Sequence, residues 1–308
     1  MRYVFCINPI AGKGNLQEDI IKSINDYFVD KNDEFKIYFE NSLDLMTASA
    51  VAEAQKGDDM RIFACGGEGT VMAVLNAVVD YNNVELGVIP CGSANDFLKF
   101  FENAESFSKL SEQIYGTSID MDLIKAGDLY CLNGCSVGMD AVVARNMLLF
   151  KRWPLVSGTM AYNLAIVKTF LGKIGITANI SVDGGNFEQK NCLFAVIANA
   201  PYYGGGYKGA PYAVPYDNEL DFTLVDKISK FKILKFLGIY KKGEHESLDC
   251  CTLKKCTSME FFAEKPIPVN LDGEIIETTS MKFELVKNVI KFILPKSVAN
   301  KMLTIAEK

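Results

Sequence analysis

The segment at residues 63–78, FACGGEGTVMAVLNAV, decides the fold. In it, an apolar β-type run ends in a loop, and an almost uniformly apolar helical pattern follows. The loop consists of Gly66, Gly67, Glu68, Gly69 and Thr70. Glycines allow the main chain to approach phosphate oxygens, and the positive end of the following helix dipole favours an anion. The segment therefore predicts a strand, a phosphate-binding loop and a buried helix, with Thr70 as the candidate cap.

Glu68 is the unusual residue of this loop, because a carboxylate beside phosphates adds negative charge. We expect it to hold Mg²⁺ through water, to accept a proton or to order a hydrogen-bond network. A turn that carries a solvated acid is the simpler alternative.

The composition is that of an ordinary globular protein, and 308 residues predict two domains. A net charge of -6 argues against general nucleic-acid binding, which depends on lysine and arginine. The apolar run at the amino terminus stops at Pro9, which is too short for a secretory signal. Nine cysteines without such a signal are typical of reduced thiols, so we expect a cytoplasmic protein.

The pattern of apolar runs and turn signals changes near residue 120. Up to about residue 120, short apolar runs alternate with helical segments, which predicts a doubly wound α/β domain with a parallel sheet. After that point, short runs separated by hairpin signals predict an antiparallel β-sandwich with inserted helices. The predicted domains are residues 1–122 and 123–308, and a return of the last segment to the first domain is left open.

The first of two further glycine loops is NPIAGKGN at residues 8–15. Gly12 and Gly14 can turn backbone amides towards an anion, and Lys13 adds a positive charge. The P-loop pattern is absent, and a tight strand-to-helix turn explains the stretch equally well.

The second further loop lies in VIPCGSANDFLKF at residues 88–100. Gly92 frees the turn, Ser93 offers a hydroxyl, and Asn95 or Asp96 can cap the next helix. Asp96 would lie near Glu68 if the two loops end adjacent strands, although a capping role alone also accounts for it. Ligands of parallel sheets bind beyond the carboxyl ends of the strands, so the three loops are expected to meet there.

Residues 66–70 resemble the GGDGT signature shared by diacylglycerol-type lipid kinases, sphingosine kinases, NAD kinases and 6-phosphofructokinases. Together with Asn8-Pro9, residues 92–97 are similar to the G[ST]xNDF motif of the bacterial diacylglycerol kinase-like lipid kinases. The resemblance covers nearly the whole chain and implies an α/β nucleotide domain, a β-sandwich domain and an active site in the cleft. It implies ATP and Mg²⁺ as cofactors. The implied nucleotide-binding residues are Asn8, Pro9, Gly12, Lys13, Gly14, Gly66, Gly67, Glu68, Gly69, Thr70, Gly92, Ser93, Asn95 and Asp96.

The resemblance also implies a catalytic carboxylate in the second half of the chain. In IPVNLDGEIIET, Asp272 is the candidate base that accepts a proton from the acceptor hydroxyl, and Glu274 is the alternate assignment. Taken without the resemblance, Asp272-Gly273-Glu274 favours a plain β-turn.

The resemblance also implies an accessory metal site. Asn218 and Leu220 stand where the family has its metal loop, and with Glu68 and Asp96 they are the predicted metal residues. The chain has Asp217-Asn218-Glu219 where the family usually has Asp-Asp-Gly. Met72 and Ala73 also replace the usual Asn-Glu, which keeps open a nucleotide-binding regulator without catalysis.

Residues 227–242, KISKFKILKFLGIYKK, carry six lysines and no acid. A basic amphipathic helix can lie on an anionic bilayer, or it can pack its apolar face inward with its lysines in water. Residues 139–170, which include Trp153, could line an acyl-chain pocket or form ordinary core.

The sequence therefore predicts an ATP-dependent lipid kinase that phosphorylates a lipid hydroxyl in the interdomain cleft. The alternative is an NAD or other small-molecule kinase, which the scarcity of arginines disfavours because an anionic acceptor needs such anchors. The arginines are Arg2, Arg61, Arg145 and Arg152. The expected partners are a lipid substrate and, transiently, the inner face of the membrane, without nucleic acid; a homodimer is left open.

Overall fold

The computed structural model describes residues 1–12, 16–91, 95–151, 153, 156, 158–172 and 174–306. The chain forms two compact units. Unit 1 consists of Met1–Asp122 and Lys287–Lys308, and unit 2 consists of Leu123–Val286. The carboxyl-terminal segment thus belongs to the same unit as the amino terminus.

Unit 1 is built on a parallel sheet of five strands in the order β2-β1-β3-β4-β13. The strands are β1 (Arg2–Ile7), β2 (Glu34–Phe39), β3 (Met60–Gly66), β4 (Val84–Pro90) and the end of β13 (Glu274–Leu294). The central strands are almost continuously apolar because helices cover both faces. The chain order reverses between β1 and β3, and ligands of open parallel sheets bind at such a switch point.

The helices of unit 1 pack on the two faces of this sheet. They are α1 (Leu16–Phe28), α2 (Leu43–Ala54), α3 (Glu68–Val78), α4 (Leu110–Ile114) and α8 (Lys296–Ala306), with 3-10 turns at Asp96–Phe100 and Ala104–Ser108. On one face, Ile24 and Phe28 of α1 pack with Tyr3 and Phe5 of β1. Helices α2 and α3 pack against each other and against β1 and β3.

Unit 2 is an antiparallel assembly. Its strands are β6 (Leu129–Cys131), β7 (Gly134–Gly138), β8 (Ile176–Val182), β9 (Glu188–Ala198), β10 (Leu220–Asp226), β11 (Cys251–Cys256), β12 (Ser258–Leu271) and the first part of β13; β5 (Thr117–Ala126) crosses the division between the units. The order is β11-β10-β9-β7-β12-β13, and β8 pairs with both β9 and β12. The predicted fold class, an α/β domain followed by an antiparallel β domain, is confirmed.

Three helices are inserted in unit 2: α5 (Met139–Lys151), α6 (Gly158–Leu171) and α7 (Lys230–Lys242). The lysine-rich segment does form a helix, α7, and its Ile233, Phe236 and Tyr240 are buried with Phe194 of β9. Within the described residues, no helix combines the length and apolar character needed to cross a bilayer.

The short apolar runs at residues 259–262, 269–271, 282–285 and 289–293 predict four separate strands, but in the structure they form two long strands, β12 and β13. Residues 259–262 and 269–271 both belong to β12, whose pairing with β13 shifts register between Phe262 and Ile267. A bulge of this kind lets a strand continue past Pro266, which cannot donate a ladder hydrogen bond. Strand β11 and helix α8 were not predicted.

Candidate functional site

The first residues after β1 and β4 are tied to the end of β3 by backbone hydrogen bonds. The amide of Asn8, which follows β1, donates to the carbonyl of Cys65 over 3.0 Å. The amide of Cys91, which follows β4, donates to the carbonyl of Gly66 over 2.9 Å. The ends of β1, β3 and β4 therefore meet at the switch point of the sheet.

Thr70 plays a different part from the capping role expected of it. The N-cap of α3 is Gly67, which has no side chain to cap the helix, and Thr70 lies inside the first turn. The Thr70 hydroxyl is buried and accepts a hydrogen bond from Nδ2 of Asn8 over 3.0 Å. It thus joins the loop after β1 to the start of α3 and leaves that helix start without a side-chain cap.

The glycines of these loops are required for different reasons. A Cβ on Gly66 would lie 2.4 Å from Oγ1 of Thr70, and one on Gly12, at a φ of +80°, would lie 2.3 Å from the carbonyl oxygen of Cys91. Gly69 meets neither constraint: its φ is unexceptional, and a Cβ would find no described atom within 4 Å. Glycine in a helix costs up to about 1 kcal/mol relative to alanine. A ligand that needs this open space would account for Gly69.

Glu68 and Asp96 are brought together, as the sequence predicts for loops that end adjacent strands. Oε1 of Glu68 accepts a hydrogen bond from the amide of Asp96 over 3.0 Å, and the carboxylate of Asp96 forms an ion pair with Lys99. Asn95 occupies the N-cap of the following 3-10 turn with a φ of 42°, but its side chain does not cap it. Among the roles expected for Glu68, the hydrogen-bond network is the one present in the structure.

Other predicted nucleotide-binding residues of unit 1 are less informative. Pro9 lies in the turn after β1, where Oδ1 of Asn8 accepts from the amide of Ile10 over 3.1 Å. Lys13, Gly14, Gly92 and Ser93 lie outside the described residues.

The residues of unit 1 suit a magnesium ion that arrives on a nucleotide. Mg²⁺ usually keeps several waters and is bound by one or two carboxylates together with substrate phosphates. Glu68, at the uncapped start of α3, would be the carboxylate available for such an ion. In the part of the chain that the structure describes, no group of three or more His, Cys, Asp or Glu residues forms a protein cage for a metal.

In unit 2, Asp272 and Gly273 form the two-residue turn between β12 and β13, because Leu271 pairs with Glu274. Their φ angles are +48° and +99°. Positive φ at both central residues matches the hairpin turn that favours Asp-Gly. The β-turn interpretation of this motif is therefore correct for its backbone.

The Asp272 side chain does more than the turn requires. Oδ2 accepts from the amides of Leu132 (2.6 Å) and Asn133 (2.9 Å), and Oδ1 accepts from the amide of Gly134 (2.6 Å). Burial raises the pKa of Asp272 to about 6. The three amide donors favour the charged form and lower the pKa, but burial has the larger effect. The carboxyl group is thus rigidly oriented and titrates close to neutrality.

The sequence interpretation missed the segment that holds Asp272. Residues 132 and 133 connect β6 to β7, which begins at Gly134, and Nδ2 of Asn133 also donates to the carbonyl of Tyr202 over 2.8 Å. The Asn-Gly pair at 133 and 134 is a turn signal that could have drawn attention to it. Glu274, the alternate base, is exposed at the start of β13.

The predicted accessory metal loop holds a lysine ammonium group among its acids. Nζ of Lys255 lies 2.8 Å from Asp217, 2.9 Å from Asp221 and 3.9 Å from Glu219. Partial burial lowers the pKa of Lys255, but its hydrogen bonds to Asp217 and Asp221 raise it overall. These carboxylates already have a cation, so they fit a divalent ion poorly; Asn218 is exposed and Leu220 is buried beside them.

Two family descriptions match this chain, one for each part of it. Residues 2–126 match the diacylglycerol kinase catalytic domain, and residues 133–294 match the YegS C-terminal NAD kinase beta sandwich-like domain. The second match alone covers more than half of the chain.

Curated proteins and solved structures agree with these matches. The chain is 27% identical over 299 residues to "Putative lipid kinase YtlR" of Bacillus subtilis, covering 91% of this chain and 95% of that protein. It is 30% identical over 250 residues to "Probable lipid kinase YegS-like" of Shewanella frigidimarina, covering 80% of each. A crystal structure titled as a putative diacylglycerol kinase from Bacillus anthracis superposes with a TM-score of 0.74 at 22% identity over 96% of both chains, which shows a shared fold.

The family predicted from the sequence motifs is therefore confirmed. The chain belongs to the YegS-like kinase family, in which a diacylglycerol kinase catalytic domain precedes a NAD kinase-like β-sandwich domain.

Proposed function

We propose that the protein is an ATP-dependent lipid kinase, which transfers the γ-phosphoryl group to a hydroxyl group of a lipid. The observation that supports nucleotide binding is Gly69, a glycine at the uncapped start of α3 where an added Cβ would meet no described atom within 4 Å. The assignment of a lipid as the phosphoryl acceptor is supported by relatives whose names contain "lipid kinase".

The triphosphate would lie against the start of α3, where backbone amides and the helix dipole favour negative charge. The Asn8–Thr70 hydrogen bond would hold the loop after β1 beside it. Glu68 would keep the loop after β4 in position through the amide of Asp96. Magnesium, when bound, would neutralise charge on the phosphate oxygens.

Asp272 would accept the proton of the acceptor hydroxyl. A carboxylate offers about four lone-pair positions, and backbone amides occupy three of those of Asp272. One position remains for the hydroxyl. With a pKa of about 6, the group is deprotonated at neutral pH and is a stronger base than an ordinary aspartate.

The described arginines support a lipid acceptor over an anionic one, because each has an acidic partner. Arg2 pairs with Glu53, Arg61 with Glu85 and Arg145 with Glu277. NAD or a sugar phosphate would call for uncommitted guanidinium groups or several polar anchors. Arg152 lies outside the described residues.

The test is an acceptor panel with γ-labelled ATP and Mg²⁺: diacylglycerol, a sphingoid base, a prenol and NAD. We expect label in one of the lipids and none in NAD. Label in NAD would overturn the lipid assignment. Measurable ATP binding without label in any acceptor would instead identify a nucleotide-binding regulator.

A further inference from the structure

The largest exposed apolar side chains of unit 2 are concentrated on its helices. Phe231 of α7 is 92% exposed and Leu171 of α6 is 83% exposed, the two highest values among the large hydrophobic residues described. Leu234 of α7 is 65% exposed. Contiguous exposed apolar groups on a globular protein usually mark an interaction site.

Helix α7 has two apolar faces with different environments. Ile233, Phe236 and Tyr240 are buried in the core of unit 2, as expected for an ordinary amphipathic helix. Phe231 and Leu234, three residues apart, lie together on the opposite face beside the exposed Lys235. Packing on the sandwich therefore accounts for one face of α7 and leaves the other in water.

The end of α6 lies beside the start of α7. Nζ of Lys230 donates to the carbonyls of Phe170 (2.6 Å) and Gly172 (3.0 Å). Gly172, Ile174 and Lys227 line one cavity of about 400 Å³ together with residues 228–230. Leu171 and the outer face of α7 therefore belong to one surface.

We define the basic apolar surface as Lys168, Leu171, Lys227, Phe231, Leu234 and Lys235. All six side chains are exposed, and no acidic residue lies between positions 227 and 242. Apolar groups that can enter a bilayer are thus interleaved with cations that attract anionic headgroups. We propose that unit 2 docks through this surface onto an anionic lipid bilayer, with Phe231, Leu234 and Leu171 inserted between headgroups.

A second copy of the chain fits this surface less well. A two-fold dimer would place the same patch against itself, so the lysines of both copies would face one another. Anionic lipids offer the complementary charge instead. Each lysine near an anionic membrane strengthens binding by about fivefold.

This inference deepens the proposed function, since a kinase for bilayer lipids must reach its acceptor at the membrane surface. Its test needs neither ATP nor turnover, so the docking inference and the proposed kinase function can fail separately. Cosedimentation would be measured with vesicles of phosphatidylglycerol and phosphatidylcholine, and with vesicles of phosphatidylcholine alone. We expect binding to the anionic vesicles that weakens as salt increases.

The variants Phe231→Ser and Leu234→Ser should each weaken binding to anionic vesicles at least tenfold, because each removes a large side chain from the bilayer. Lys235→Glu should weaken binding and also reduce its salt dependence. The matched controls are Phe187→Ser and Lys265→Glu, which change exposed residues of unit 2 that belong to neither α6 nor α7 and should bind like the wild type.

Equal binding by Phe231→Ser and the wild type would overturn the proposal, as would equal binding to both kinds of vesicle. Sedimentation velocity provides a second readout. A wild-type dimer that Phe231→Ser dissociates, without vesicle binding, would assign the surface to a second copy. Phosphorylation of a short-chain acceptor dispersed in water should be unchanged in Phe231→Ser, which separates loss of docking from loss of catalysis.

Discussion

The side-chain amide of Asn8 donates to the hydroxyl of Thr70 over 3.0 Å, across 62 positions of sequence. This bond joins the loop after β1 to the first turn of α3, at the point where the order of the parallel strands reverses. It adds a side-chain link to the backbone hydrogen bond between Asn8 and Cys65 that already holds the end of β1 beside the end of β3.

Replacing Thr70 with Val keeps the shape of the side chain and removes the acceptor. We expect ATP to bind about fivefold more weakly, because a typical hydrogen bond contributes about 1 kcal/mol. Isothermal titration would measure the loss. Thr223→Val is the control, since it removes a buried bond to the carbonyl of Gly209 in unit 2 and should leave ATP affinity unchanged. Equal affinity in Thr70→Val would contradict a role in positioning the nucleotide.

Gly69→Ala should stabilise the protein and weaken ATP binding at the same time. Alanine favours the helix by up to about 1 kcal/mol, and the new methyl group enters the space assigned to the phosphates. Thermal unfolding and nucleotide titration give the two readouts. Gly238→Ala is matched, because Gly238 is also helical with open space around it, and should raise stability alone. A Gly69→Ala protein with full ATP affinity would remove the main support for the nucleotide site.

Asp272 should impose an acid limb on the pH dependence of kcat/KM. A general base works only when deprotonated, so activity should rise with pH through about 6. Asp272→Asn should lower kcat by about 100-fold or more, whereas Glu274→Gln should retain the pH profile. The reverse pattern would make Glu274 the base. Far-UV circular dichroism is needed alongside, because Asp272→Asn also loses an acceptor for the amides of residues 132–134.

Unit 2 should become more stable as the pH falls from 7 to 5. Burial raises the pKa of Asp140 and of Asp272 to about 6, so the folded state binds more protons than the unfolded state in this range. Urea unfolding at the two pH values would measure the effect, and Asp140→Asn should reduce it.

The pKa of Glu53 is lowered to about 2 because hydrogen bonds from Lys56, Tyr38 and Lys36 outweigh its burial. The contribution of Glu53 to the free energy of unfolding is therefore lost only as the pH falls below about 4.5.

Lys255→Met should destabilise the protein and make its stability respond to divalent cations. Without the ammonium group, Asp217, Glu219 and Asp221 are left as neighbouring uncompensated charges, and Asp221 is largely buried. Millimolar Ca²⁺ or Mg²⁺ should raise the Tm of this variant and not that of the wild type. Lys282→Met breaks an exposed pair with Glu284 and should change stability by less than about 1 kcal/mol. A variant whose Tm ignores both ions would show that these acids cannot form a cation site.

Local patterns in the chain were sufficient for the two architectures. Buried strands read as short apolar runs, hairpins carry Asp-Gly or Gly-rich turns, and glycines cluster where β1, β3 and β4 end. The sequence patterns predict a helix over residues 16–28 and a strand over residues 176–182, and these are the bounds of α1 and β8 in the structure. Such signals are local because hydrophobic periodicity and turn chemistry act within about ten neighbouring residues.

Only the tertiary structure decided what individual side chains do. Thr70 lies in the first turn of α3 and bonds Asn8, Asp272 accepts three amides that lie 138 to 140 positions away, and Lys255 reaches acids more than 30 positions earlier. These partners are brought together by strand order and register, which depend on the packing of whole sheets. The residues near each carboxylate in sequence do not indicate these partners, so the environment of each carboxylate can be determined only from the folded chain.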